Sequence, residues 1–121
     1  MILADTSVWV DHFKTSDSAL ADLLEAGGVV CHPFIIGELA CGGIQNRPEI
    51  LSLLSALRST TKAGDDEIPA FIARNDLMGR GLGLIDIHLL ASCKLDGVLL
   101  WTRDAELRKA AEALRVGAEQ K

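Results

Sequence analysis

Residues 1–10 read MILADTSVWV. Met1 to Ala4 form an unbroken apolar run, which stops at a carboxylate, Asp5, followed by two small hydroxyl residues, Thr6 and Ser7. An apolar run with no polar alternation predicts a short strand buried on both faces, as in a covered parallel sheet. Thr6 or Ser7 is suited to cap the helix expected over 7–13, where Trp9 and Phe13 share a face.

The same alternation continues down the chain. Further short strands are expected at 29–31 and 98–101, with a weaker one at 59–61. Helices are expected at 18–25, 33–41, 48–57, 66–78, 85–95 and 104–114. Gly27-Gly28 and Gly42-Gly43 act as stops, and Pro33 sits in a first helical turn. The tail from 116 to 121 is expected to fray. Strands alternating with helices imply an α/β fold around a small parallel sheet, with right-handed crossovers. At 121 residues the chain is expected to form one domain.

Composition narrows the function. Hydrophobic residues make up 49 % and charged residues 24 %, which argues against disorder. No apolar run approaches the roughly 20 residues of a membrane span, and no secretory signal is visible, so a cytoplasmic protein away from the membrane is expected. Cys31, Cys41 and Cys93 are odd in number, lack C-x-x-C spacing and lie among apolar neighbours, as buried thiols of a reducing compartment would. His12, His32 and His88 show no zinc spacing and read as surface or core residues. The net charge of −5 argues against a broad basic nucleic-acid surface. It leaves open phosphate chemistry conducted through a bound cation, where carboxylates are the machinery. The stretch GRGLGL is neither a G-x-G-x-x-G nor a P-loop motif.

The acids that stand out are Asp5, Glu38, Asp86 and Asp104. Ligands of open α/β sheets bind beyond the carboxyl ends of the strands. Asp5 ends the first strand, and Asp104 follows the last. Glu38 interrupts the apolar helix FIIGELACG, where a buried carboxylate needs a partner or a metal. Asp86 opens IDIHLLAS after a glycine-rich turn. Taken singly, Asp86 and Asp104 read as helix N-caps, Asp5 as cap or ligand, and Glu38 as ligand or solvent-facing charge. Taken together they suggest a hard-cation site, since four close carboxylates repel one another without a cation. An alternative of another class is a magnesium-binding signalling receiver. That fold would want an acid pair after the first strand and a lysine after the last.

The succession ADTSVWVDHF, IIGELACGGI, GRGLGLIDIHLLAS and VLLWTRDAEL resembles the PIN-domain family, and within it the VapC-type toxins. The resemblance spans Met1 to about Leu114. It implies a Rossmann-like α/β/α sandwich and an endoribonuclease dependent on Mg2+ or Mn2+. Asp5 and Asp86 would be the principal metal ligands, with Glu38 and Asp104 acting through water. Thr102 and Ser7 would support the site. The resemblance also implies an RNA substrate, a homodimer and a VapB-type antitoxin partner; a PIN domain that only binds partners is the remaining variant. Arg103 and Arg80 are candidate RNA contacts, with a solvated charge or a structural ion pair as the plainer reading of each. Trp9, Phe13 and Trp101 read as core or dimer residues. The family's last strand and its third strand find only poor matches, at RVGAEQK and STTKAG.

Overall fold

β1 (Ile2–Ala4) lies inside a four-stranded sheet of order β3-β2-β1-β4, where every pairing is parallel. These are the features of a computed structural model that describes residues 1–119. Its other strands are β2 (Val29–Cys31), β3 (Arg58–Ser59) and β4 (Leu99–Trp101). Leu3 pairs with Val30 on one side and Leu100 on the other. The chain steps from β1 out to β2 and β3, then returns to β4 on the opposite flank. The order therefore reverses between β1 and β4, the place where such sheets open a crevice at their carboxyl edge.

Register then dictates which residues meet at that edge. One step beyond the paired strands stand Thr60, His32, Asp5 and Thr102, side by side. The ladder reaches them: the Asp5 N–H donates to the Trp101 carbonyl at 2.8 Å, and the Thr60 N–H to the Cys31 carbonyl at 2.9 Å.

The helices are α1 (Thr6–Thr15), α2 (Ser18–Glu25), α3 (Pro33–Cys41), α4 (Arg47–Ala56), α5 (Glu67–Arg74), α6 (Leu84–Asp96) and α7 (Ala105–Ala113). Leu3, Trp9, Leu20, Ile35, Leu89, Leu90, Leu100 and Leu107 are fully buried in one hydrophobic cluster. Each contributes roughly 1.5–3 kcal/mol of burial. In α6 every residue from Ile87 to Cys93 is buried, which fixes that helix, and Asp86 with it, against the core. Gly97 closes α6 at φ +66°, a left-handed turn that a side chain would strain.

Several expectations change at element ends. The N-cap of α1 is Asp5, not Thr6 or Ser7, although its side chain makes no capping bond. Asp86 is not a cap but the third residue of α6, whose N-cap is Gly83. β3 forms at Arg58–Ser59, before the expected 59–61: these two residues pair in register with Val30 and Cys31, and Thr60 adds one last bond to the Cys31 carbonyl. α5 ends at Arg74, short of Met78, and α4 ends one residue before Leu57. The tail does not simply fray. Val116 is buried, and residues 116–118 run alongside β4: the Leu100 N–H donates to Val116 and the Ala118 N–H to Leu100. This makes a single parallel bridge, Leu100 to Gly117, in place of a full strand. Gln120 and Lys121, the end of that expected tail, lie outside the described residues. Cys31 and Cys93 are buried as expected, whereas Cys41 is exposed at the last turn of α3. No helix among the described residues is long and apolar enough to cross a membrane.

Candidate active site

Asp5 stands where β1 ends, and the residue is only 8 % exposed. Oδ2 accepts two hydroxyls, Ser7 Oγ at 2.9 Å and Thr102 Oγ1 at 2.8 Å. Both hydroxyls are themselves held by backbone. Thr102 Oγ1 accepts the Asp104 N–H at 3.1 Å, and Ser7 Oγ accepts the Arg103 N–H at 3.1 Å. The segment 102–104 is thereby fastened to the end of β1, and Thr102 and Ser7 serve as positioning groups for Asp5. Charge-assisted bonds of this kind are stronger than neutral ones.

The other three acids come from helix termini and one helix face. Asp104 caps α7, Oδ1 accepting the Leu107 N–H at 2.9 Å, so the cap reading of this residue holds. Asp86 Oδ2 reaches back to the Gly83 N–H at 3.0 Å. Glu38 is exposed rather than buried, because the apolar face of α3 turns toward Ile35 and Leu39. It is nevertheless held: Thr6 Oγ1 on α1 donates to Glu38 Oε1 at 2.7 Å. Thr6 thus joins the candidate site, where the sequence showed it only as a possible cap.

A common pattern emerges. Each acid commits one oxygen to a positioning bond, and its second oxygen accepts no hydrogen bond among the described residues. The four also act on one another. The Asp86 carboxyl lies above the usual carboxylate range, chiefly through burial. The Gly83 N–H works against that shift, while Asp5, Asp104 and Glu38 add to it by repulsion. This negative field favours a cation. Among the described residues no three His, Cys, Asp or Glu groups close into a ready-made metal cage. Magnesium does not need one, since it uses one or two carboxylates and keeps several waters. An all-oxygen donor set with free second oxygens fits such a hydrated hard cation, and fits it better than zinc.

The two arginines differ. The Arg103 guanidinium turns away from the four acids and bonds Asp11 at 2.7 Å and Asp17 at 2.5 Å, over the Trp101 ring. Asp17 also accepts the Leu20 N–H as the cap of α2, and that bond together with Arg103 holds its carboxyl below the usual range. The structural ion pair is thus the contact that Arg103 makes. Arg80 is half-buried ahead of α6 and has no ion pair among the described residues. Trp9 is core, and Phe13 and Trp101 are half-buried against it.

The fold is a parallel α/β sheet with Asp5 at the carboxyl edge of its switch point, and Asp86 feels the charges of Asp5, Asp104 and Glu38 there. The PIN-domain profile matches residues 2–113, and the chain belongs to that family. Its relatives include Ribonuclease VapC32 of Mycobacterium tuberculosis, from strains CDC 1551 / Oshkosh and H37Rv. Each is 44 % identical over 111 residues, covering 91 % of this chain and 90 % of the relative. The fold also superposes on the crystal structure of PAE2754 from Pyrobaculum aerophilum with a TM-score of 0.60 at 16 % identity, covering 93 % of this chain and 80 % of that one. At that identity the likeness speaks for the fold.

Proposed function

We propose that the protein is a Mg2+- or Mn2+-dependent endoribonuclease and the toxin of a VapBC-type pair. The observation that carries this is the set of four carboxylates, each held through one oxygen and open at the other, at the switch point of a PIN fold. Kinship with named VapC ribonucleases supports the reaction class.

Asp5 and Asp86 would hold the cation directly, and Glu38 and Asp104 through its waters. A cation so held supplies Lewis acidity toward a phosphoryl oxygen and a more acidic bound water. The chain's own part is positional. Thr102 and Ser7 orient Asp5, Thr6 orients Glu38, and the backbone of α6 and α7 orients Asp86 and Asp104. Arg80, which has no ion pair among the described residues, would be the arginine to meet RNA phosphates; Arg103 could do so only by leaving Asp11 and Asp17. The receiver alternative wanted a lysine where Arg103 stands in this ion pair, and no observation favours it.

We further propose a cytoplasmic homodimer that binds a VapB-type antitoxin. The net charge of −5 is complementary to a basic inhibitory segment. One continuous core supports reading the chain as a single domain.

Asp5→Asn tests the mechanism. It keeps the size of the side chain and removes the charge. Magnesium-dependent cleavage of single-stranded RNA should disappear while circular dichroism and the unfolding midpoint stay near wild type. Retention of wild-type cleavage by this variant would refute the metal role of Asp5.

A further inference from the structure

An acidic crevice repels the polyanion it is proposed to cut, so a cation must hold the RNA beside it. Arg103 is engaged by Asp11 and Asp17. On the other flank of the crevice the sheet edge continues from Asp5 through His32 to Thr60, a span of roughly 10 Å at the usual strand spacing. Two residues past Thr60 is Lys62, exposed and with no carboxylate partner among the described residues. Its ammonium rests over the Phe34 ring, 5.0 Å from the centroid. Phe34 is itself fixed, edge-on to His88 at 4.7 Å and tilted against His32 at 5.1 Å. It precedes Glu38 by one turn on α3, so ring and carboxylate share a helix face. His32 and His88 are both buried, and Lys62 pushes the pKa of each further down after burial. The ammonium is therefore seated on a neutral aromatic cluster; the Asp65 charge reaches His88, but no carboxylate pairs with Lys62 among the described residues.

We infer that Lys62, seated on Phe34 at the β2–β3 side of the acidic crevice, is a phosphate-binding residue for the RNA strand flanking the cleavage site. A cation–π seat holds the side chain in place without quenching its charge, which lowers the entropy lost when a phosphate docks. Lysine serves here as a point charge, so the contact adds affinity for RNA and carries no base preference.

This inference rests on the ribonuclease reading, and the test separates the two. Binding of a labelled single-stranded RNA to the full chain is followed by fluorescence anisotropy in calcium, across a salt series. Cleavage of the same RNA is followed in magnesium. Lys62→Gln should weaken binding several-fold and reduce the slope of log affinity against log salt by ~0.7. Lys62→Arg should restore both, and Phe34→Leu should give a smaller loss. Lys109→Gln, on α7 and paired with Glu106, is the charge-matched control and should leave the slope unchanged. Three results each overturn the inference: an unchanged slope in Lys62→Gln, an equal loss in Lys109→Gln, or no binding by wild type. Wild type that binds but never cleaves would refute the ribonuclease reading alone, because the binding comparison still decides the role of Lys62.

Discussion

The Thr102 hydroxyl donates to Asp5 Oδ2 at 2.8 Å, joining the ends of β4 and β1 across 97 positions of sequence. Thr102 Oγ1 also accepts the Asp104 N–H. One buried hydroxyl therefore positions two acids of the site.

Thr102→Val should remove this link at nearly constant volume. Asp5 loses one of its two hydroxyl donors, and the Asp104 N–H loses its acceptor. A stability loss of about 1–3 kcal/mol is expected in urea denaturation. Magnesium-dependent cleavage should fall more than the stability loss explains, and Thr102→Ser should recover most of both. Equal cleavage by the valine variant would remove Thr102 from the site's machinery.

Asp86→Asn should separate electrostatic cost from function. Burial and three neighbouring carboxylates disfavour the charge on Asp86. The neutral amide keeps an acceptor for the Gly83 N–H. The variant should melt at the wild-type temperature or above it in EDTA. Added magnesium should raise the melting temperature of wild type by mass action and that of the variant much less. Calorimetry with and without the metal gives both comparisons.

His32 should make stability depend on pH. Its Nδ1 accepts the Phe34 N–H at 2.9 Å, so that nitrogen carries no proton. Burial, with His88 and Lys62 adding to it, depresses the pKa from 6.5 to about 4. A histidine depressed in the fold takes up its proton more readily when unfolded. Its contribution is complete above pH 6.5 and is lost as pH falls toward about 4, on the order of 3 kcal/mol in total. His32→Asn keeps a capping acceptor, and its stability should fall less steeply over that window. Equal slopes for variant and wild type would contradict this assignment.

The cysteines should react in two classes. Burial pushes the Cys31 thiol up to about 11 and the Cys93 thiol up to about 12. Cys41 is exposed. A disulfide reagent at neutral pH should titrate Cys41 quickly, and the other two only on unfolding, since the thiolate is the reactive form. Cys41→Ser should abolish the fast phase.

The sequence alone determined the three apolar strands and brought forward the four candidate acids. MILA, VVC and VLLW are short and wholly apolar, and strands buried on both faces need that composition wherever they sit. Strong turn signals, such as Gly27-Gly28 after 18–25, set helix limits locally, and α2 and α3 formed over the expected residues. The four acids were legible because each interrupts an apolar segment or ends a strand.

Only the tertiary structure decided how those acids are held and what surrounds them. Thr102 and Thr6 bind carboxylates 97 and 32 residues away, and no local pattern encodes such pairing. Arg103 stands next to Asp104 in sequence yet bonds Asp11 and Asp17, because α1 and α2 bring those acids to its side. Glu38 was read from the apolarity of its helix, but which face turns to the core depends on what the helix packs against. The opening apolar run did announce a strand. That Asp5 ends it as both the backbone cap of α1 and a side chain held by Ser7 and Thr102 follows from parallel register, which sets β4 beside β1.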